Sequence, residues 1–273
     1  MHGFSLDLTT WHYQWRALSR RHRCVLYDQR GHGRSDPGAG QDYSIDALGR
    51  DLRAVLDATC PDGPVVLIGH SMGGMAILSL AARHPEEFGG RVQGVVLTST
   101  AAGELLKELL GGLAVRGAAL VRRGVASLHG RPGRVDRIRG LASGRGAGVA
   151  FLIASATNFG PAAPPSLVAH VTRISAATPA EVWTDLFPNV LDLDLWHALE
   201  HIRVPSLVLV GDVDRITPPA HARAIAGALP DARLVVFEGA GHCVMLEHAE
   251  RFNQEVERFL AELPAATPAR APA

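Results

Sequence analysis

The chain is 273 residues long, and its 27 basic and 27 acidic side chains leave a formal net charge of zero. Apolar residues make up 47% and charged ones 20%. This excludes a disordered chain, and the balanced charge gives no reason to expect nucleic acid as a partner. The length suits one large α/β domain, or such a domain carrying an inserted lobe. No apolar run approaches the ~18 residues of a membrane span, so no membrane association is expected. The three cysteines, Cys24, Cys60 and Cys243, are widely spaced and unpaired in sequence. They argue against a disulfide scaffold or a cysteine zinc site and fit a reducing compartment, with the cytoplasm as the default location.

In chain order, Cys24–Tyr27 reads as a strand and Ile45–Thr59 as a helix. Val65–Ile68 is the next strand, followed by a helix over Ser71–His84 that Pro85 ends. Val92–Thr98 is a third strand. After a long interruption come the strand Leu207–Val210, the helix Ala220–Leu229 behind Pro218-Pro219, the strand Arg233–Phe237 and the helix Ala249–Leu260. The strands are continuous apolar runs, as expected of strands covered on both faces. Strands alternating with helices imply a mostly parallel sheet with right-handed crossovers.

The stretch from Gly103 to His197 breaks that alternation. It holds no convincing strand, and Leu105, Leu106, Leu109, Leu110 and Leu113 recur at helical spacing. We read it as an inserted helical cap, flanked by core segments 1–102 and 198–263. Arg131, Arg134, Arg137, Arg139 and Arg145 read as a solvated face of the cap, and the Gly-rich stretch Gly140–Gly148 as a mobile lid. Residues 264–273 are Pro/Ala-rich and read as a loose tail.

Gly69-His70-Ser71-Met72-Gly73 stands between a strand and a helix. A serine hydroxyl is a weak nucleophile until it is held exposed beside a base. A sharp strand-to-helix turn does this, and its flanking glycines let the helix pass close to the strand. A nucleophilic Ser71 requires a downstream acid and base. Asp212 and Asp214 both follow the strand ending at Val210. Among 13 histidines, His242 is singled out because it follows the strand ending at Phe237 and the turn Gly239-Ala240-Gly241. Both places lie beyond strand C-terminal ends, where open α/β sheets put their sites. His70 is expected to point away along the strand and His32 to be structural. No group of His, Cys, Asp or Glu has metal-ligand spacing, the Asp192/Asp194 pair reading as a solvated turn, so neither a metal nor a cofactor is expected.

With these segments in view, the chain resembles the α/β-hydrolase family, in particular its small, capped, cofactor-free esterase and haloperoxidase-like members. The resemblance rests on His2-Gly3-Phe4, the stretch Asp28–Ser35, the Ser71 elbow, Asp214 and His242. It implies an α/β fold with a helical cap and a Ser71–Asp214–His242 triad, and it selects Asp214 over Asp212. It also implies an oxyanion hole from the Phe4 and Met72 amides, and a supporting role for residues 28–35. The implied activity is hydrolysis of an ester or related acyl compound, with peracid formation, lactone opening, C–C hydrolysis or a non-catalytic scaffold as alternatives. Phe151, Phe159 and Trp183 are candidates for an apolar substrate pocket, the competing reading being that they are core. The substrate is expected to be a small, apolar molecule; oligomeric state is open. Finally, the family places its oxyanion loop after its third strand, whereas here the loop begins at His2. This leads us to expect that three strands are lacking from the chain and that Met1 is internal to a longer protein, which also leaves an upstream signal peptide open.

Overall fold

The computed structural model describes residues 1–105, 123–124, 127, 131–134 and 147–263. Four strands form one parallel sheet in the order β1-β2-β3-β4: β1 Val65–His70, β2 Val92–Thr98, β3 Ser206–Gly211 and β4 Ala232–Phe237. In register, Val96 lies beside Ile68 on one side and Leu207 on the other, and Val208 beside Leu234. Side chains alternate across the sheet. Val95, Leu97, Val208 and Val210 join one buried cluster, and Val96, Leu207 and Leu209 join another on the opposite face. This is why the strands read as unbroken apolar runs.

Helices cover both faces: α1 His12–Leu18, α2 Ile45–Thr59 and α3 Met72–Arg83, then α4 Ala147–Asn158, α5 Pro165–Ala177, α6 Ala180–Asp185 and α7 Phe187–Leu191, and last α8 Pro219–Ala228, α9 Val244–Glu247 and α10 Ala249–Glu262. α2 starts where Ser44 accepts the Ala47 N–H, with Asp46 in its first turn. It then buries Leu48, Leu52 and Leu56, one turn apart. It lies close on α3 because Gly49 has no side chain; a Cβ there would sit 2.5 Å from Ser79 Oγ. No helix among the described residues is long and apolar enough to cross a membrane.

Where it is described, the interruption after β2 carries the helices α4–α7. Its two ends meet: Gly103 bridges Asp194, and the Leu195 N–H donates to Ala102 O at 2.6 Å. Arg131 and Arg134 are exposed. Leu106–Leu113, Arg137, Arg139, Arg145, most of Gly140–Gly148 and the tail 264–273 lie outside the described residues.

Cys24–Tyr27 departs from the sequence expectation. It belongs to no strand ladder. A cavity of about 550 Å³, lined by Cys24–Tyr27 together with Trp11, Leu18 and the β1 residues Val65–Ile68, separates it from the sheet. With no neighbour in hydrogen-bond reach, an apolar run cannot become a strand of the sheet. On that edge of β1, Met1 makes one parallel rung, donating from its N to Ile68 O at 2.7 Å and accepting from His70 N at 3.0 Å.

Candidate active site

β1 ends at His70, and Ser71 follows with φ 51° and ψ −117°, in the left-handed region that non-glycine residues avoid. Two bonds from the neighbouring strand region hold this turn. The Ser71 N–H donates to Thr98 O at 2.9 Å, and Thr100 Oγ1 donates to Ser71 O at 2.7 Å. The glycines do what the motif requires: a Cβ at Gly69 would meet Gly73 O at 2.5 Å, and one at Gly73 would meet Met1 O at 2.4 Å. Met72 is the first residue of α3, so its amide is one of the donors a helix leaves without an intrahelical partner.

Asp214 and His242 come together from the ends of β3 and β4, both buried. His242 Nδ1 lies 2.9 Å from Asp214 Oδ2 and 3.1 Å from Oδ1. That bond places the proton on Nδ1 and leaves Nε2 as the acceptor. Asp214 Oδ1 accepts the Ile216 and Thr217 N–H groups at 2.9 and 3.0 Å, and Oδ2 accepts the Thr217 hydroxyl at 2.8 Å. Burial works to raise the Asp214 pKa, but the adjacent His242 and the Thr217 donors outweigh it and hold the carboxyl below its ordinary value. Thr217 went unnoticed in the sequence, although an Asp followed three residues later by Thr is a recognisable turn pattern. Asp212 accepts the Gly239 N–H at 2.7 Å and so ties the acid loop to the base loop.

His70 differs from its expectation. Its ring does not point away along the strand but packs against His242, with centroids 4.7 Å apart, and its Nε2 lies 3.0 Å from the His242 carbonyl oxygen. Burial drives its pKa far down, so it is neutral and donates Nε2–H to that carbonyl. The residue preceding Ser71 therefore anchors the backbone of His242.

The loop of His2, Gly3 and Phe4 lies on the elbow. A Cβ at Gly3 would be 2.8 Å from His70 Nδ1 and 3.1 Å from Ser71 Cβ. His2 is buried and neutral, donating from Nδ1 to Gly3 O and accepting the Gln29 N–H on Nε2, both at 2.8 Å. His32 accepts the Ser5 N–H at 3.1 Å, and Asp28 accepts from Leu8 and Arg34. Ser5 itself has φ 55°. Residues 28–35 thus hold the loop in a conformation that it would not keep alone.

The three pocket candidates divide. Trp183 stands edge-on to Phe4, with centroids 4.6 Å apart, and Phe187 stacks on Phe4 at 5.5 Å. Phe159 is instead buried core, clustered with Val168, Val171 and Phe237, and Phe151 packs against that same cluster. Of the three, Trp183 alone joins an aromatic wall on the Phe4 loop.

A family model described as the alpha/beta hydrolase fold matches residues 1–249. The chain is 33% identical over 247 residues to polyketide synthase ThaQ of Burkholderia thailandensis, covering 90% of this chain and 11% of that protein. Among solved structures it is similar to a thermophilic esterase from Thermogutta terrifontis, with TM-score 0.75 and 26% identity over 96% of this chain and 88% of the other. It is also similar to the enol-lactonase from Burkholderia xenovorans LB400, with TM-score 0.71 and 27% identity over 96% and 89%.

Proposed function

This chain belongs to the α/β-hydrolase family, and on that premise we propose that it is a serine hydrolase cleaving a carboxylic ester, or a related acyl compound, through an acyl-enzyme. The observation that carries this reading is the 2.9 Å bond between Asp214 and His242, beside an elbow that holds Ser71 at positive φ. His242 takes the hydroxyl proton as Ser71 Oγ attacks the acyl carbon, while Asp214 keeps the imidazole in its tautomer and stabilises the imidazolium. The carbonyl π pair moves to oxygen, where the Phe4 and Met72 amides and the positive end of α3 receive it. Losing one such donor costs ~3 kcal/mol of barrier. The oxyanion then collapses, the imidazolium protonates the departing alcohol, and water deprotonated by His242 releases the acid and restores Ser71.

The wall of Phe4, Trp183 and Phe187 favours a small molecule with an apolar acyl or alcohol group. A lactone is an internal ester and would follow the same steps; the similarity to an enol-lactonase supports testing one. The test is turnover of p-nitrophenyl esters of graded acyl length together with a γ-lactone. At least one substrate is expected to turn over, with Ser71→Ala lowering kcat by about 10³-fold or more. Silence of the native chain on every substrate, or full turnover by the variant, contradicts the proposal.

A further inference from the structure

Two direct hydrogen bonds and one bridging carboxylate join the C-terminal end of cap helix α4, and the segment leaving it, to the two loops that carry Asp214 and His242. Arg215 Nη1, next to the acid, donates to Ala156 O at 3.0 Å. The Cys243 N–H, next to the base, donates to Asn158 O at 2.9 Å. The bridging carboxylate is that of Glu247, which accepts the Gly160 N–H on Oε2 at 2.6 Å and the Gly241 N–H on Oε1 at 2.8 Å. Gly160 belongs to the segment leaving α4, and Gly241 immediately precedes His242.

The two backbones touch without intervening side chains. A Cβ at Gly160 would lie 1.8 Å from Gly239 O, and one at Gly241 would lie 2.5 Å from Phe159 C. At this contact the Glu247 carboxylate bonds to both backbones at once. Burial raises the Glu247 pKa and the Asp214 charge adds to this, whereas the two amide bonds and His242 oppose it. Both amide donors favour the charged form of the carboxylate.

We propose that Glu247 is a positioning residue for His242: by sharing its carboxylate between the Gly241 and Gly160 amides, it locks the loop of the base onto the end of cap helix α4. The inference rests on the reading of His242 as the catalytic base. A shift at Gly241 carries directly into the imidazole, and misplacement of a catalytic group by about 1 Å can cost about 10²-fold in rate. The cap and the catalytic base are therefore held in one register, and alignment of the dyad depends on the seating of α4.

The test compares Glu247→Ala and Glu247→Gln with the native chain by kcat and KM on the best p-nitrophenyl ester, by Tm, and by the proton NMR signal of His242 Nδ1–H. Glu247→Ala is expected to lower kcat about 30–100-fold with KM changed less than about 3-fold, and to broaden or shift the Nδ1–H signal. Glu247→Gln keeps the shape and one acceptor oxygen, so it should fall between Ala and native in kcat, about 3–10-fold down; it carries the test if the Ala variant does not fold. A kcat within about 2-fold of native in both variants, with only Tm lowered, overturns the proposal. So does an Nδ1–H signal identical to native. If the native chain turns over no ester, the hydrolase reading fails, while the Nδ1–H signal still decides whether Glu247 holds the ring.

Discussion

Asp214 shows how much of a buried Asp–His pair is built by its surroundings. Each of its oxygens is occupied: backbone donors from Ile216 and Thr217 fill one, and the Thr217 hydroxyl and His242 fill the other. Replacing it by Asn keeps the volume but turns an amide NH₂ towards one of these donors. If that donor is His242, the ring must adopt the other tautomer, and Nε2 can no longer accept the serine proton. We expect Asp214→Asn to lower kcat about 10²–10⁴-fold with KM nearly constant, measured on the substrate that the native chain prefers. An equal rise in KM with kcat unchanged would assign Asp214 to binding. At this scale the placement of Ser71, Asp214 and His242 just beyond strand ends was legible in sequence, because each follows a strand and a glycine. The role of His70 was not: it depends on how the elbow turns the chain after β1, bringing that ring against His242. Glu247 was invisible for a different reason, since its partner Gly160 is 87 residues away in sequence.

Among elements, the junction of β1 and α3 sets the site, and it tolerates no side chain at its crossing. A Cβ at Gly69 would meet Gly73 O at 2.5 Å and Gly74 N at 2.6 Å, both backbone atoms. Gly69→Ala should therefore cost about 2–4 kcal/mol in denaturant unfolding and abolish turnover, because strand and helix must separate. Gly227 near the end of α8 is the internal control, with nothing within 4 Å of an added Cβ. There the same change should stabilise by about 0.4–1 kcal/mol by restricting the unfolded chain. Equal effects at both positions would contradict the close-packing account. β2 was read to the residue, Val92–Thr98, because it lies between two strands and buries both faces. Cys24–Tyr27 is also apolar but pairs with no strand, since a cavity lies between it and β1. Apolar patterning marks a candidate strand, whereas strand pairing depends on a second segment that a local window does not contain.

For the molecule as a whole, buried histidines couple stability to pH. His2 and His70 are buried, and burial holds both well below the ordinary histidine pKa. In the unfolded chain they take up protons below about pH 6.5, while the folded chain does not. Falling pH therefore favours unfolding, by about 1.4 kcal/mol per pH unit for each ring once below that value. Between pH 7.5 and 5.5 the two together should remove about 2–3 kcal/mol, read from urea midpoints. The raised Glu247 pKa acts in the opposite direction, whereas the lowered pKa of His32 adds to that of His2 and His70. A stability that rises on acidification through this window would contradict neutral, buried rings at His2 and His70.

The proposed function depends on one atom, Ser71 Oγ, being activated by His242. The most direct measurement is reaction of the native chain with a fluorophosphonate, with the adduct located by peptide mass spectrometry. The account predicts a single stoichiometric adduct on Ser71, absent in Ser71→Ala and formed at least about 10²-fold more slowly in His242→Ala. An adduct on another residue, or undiminished labelling of Ser71→Ala, would contradict it.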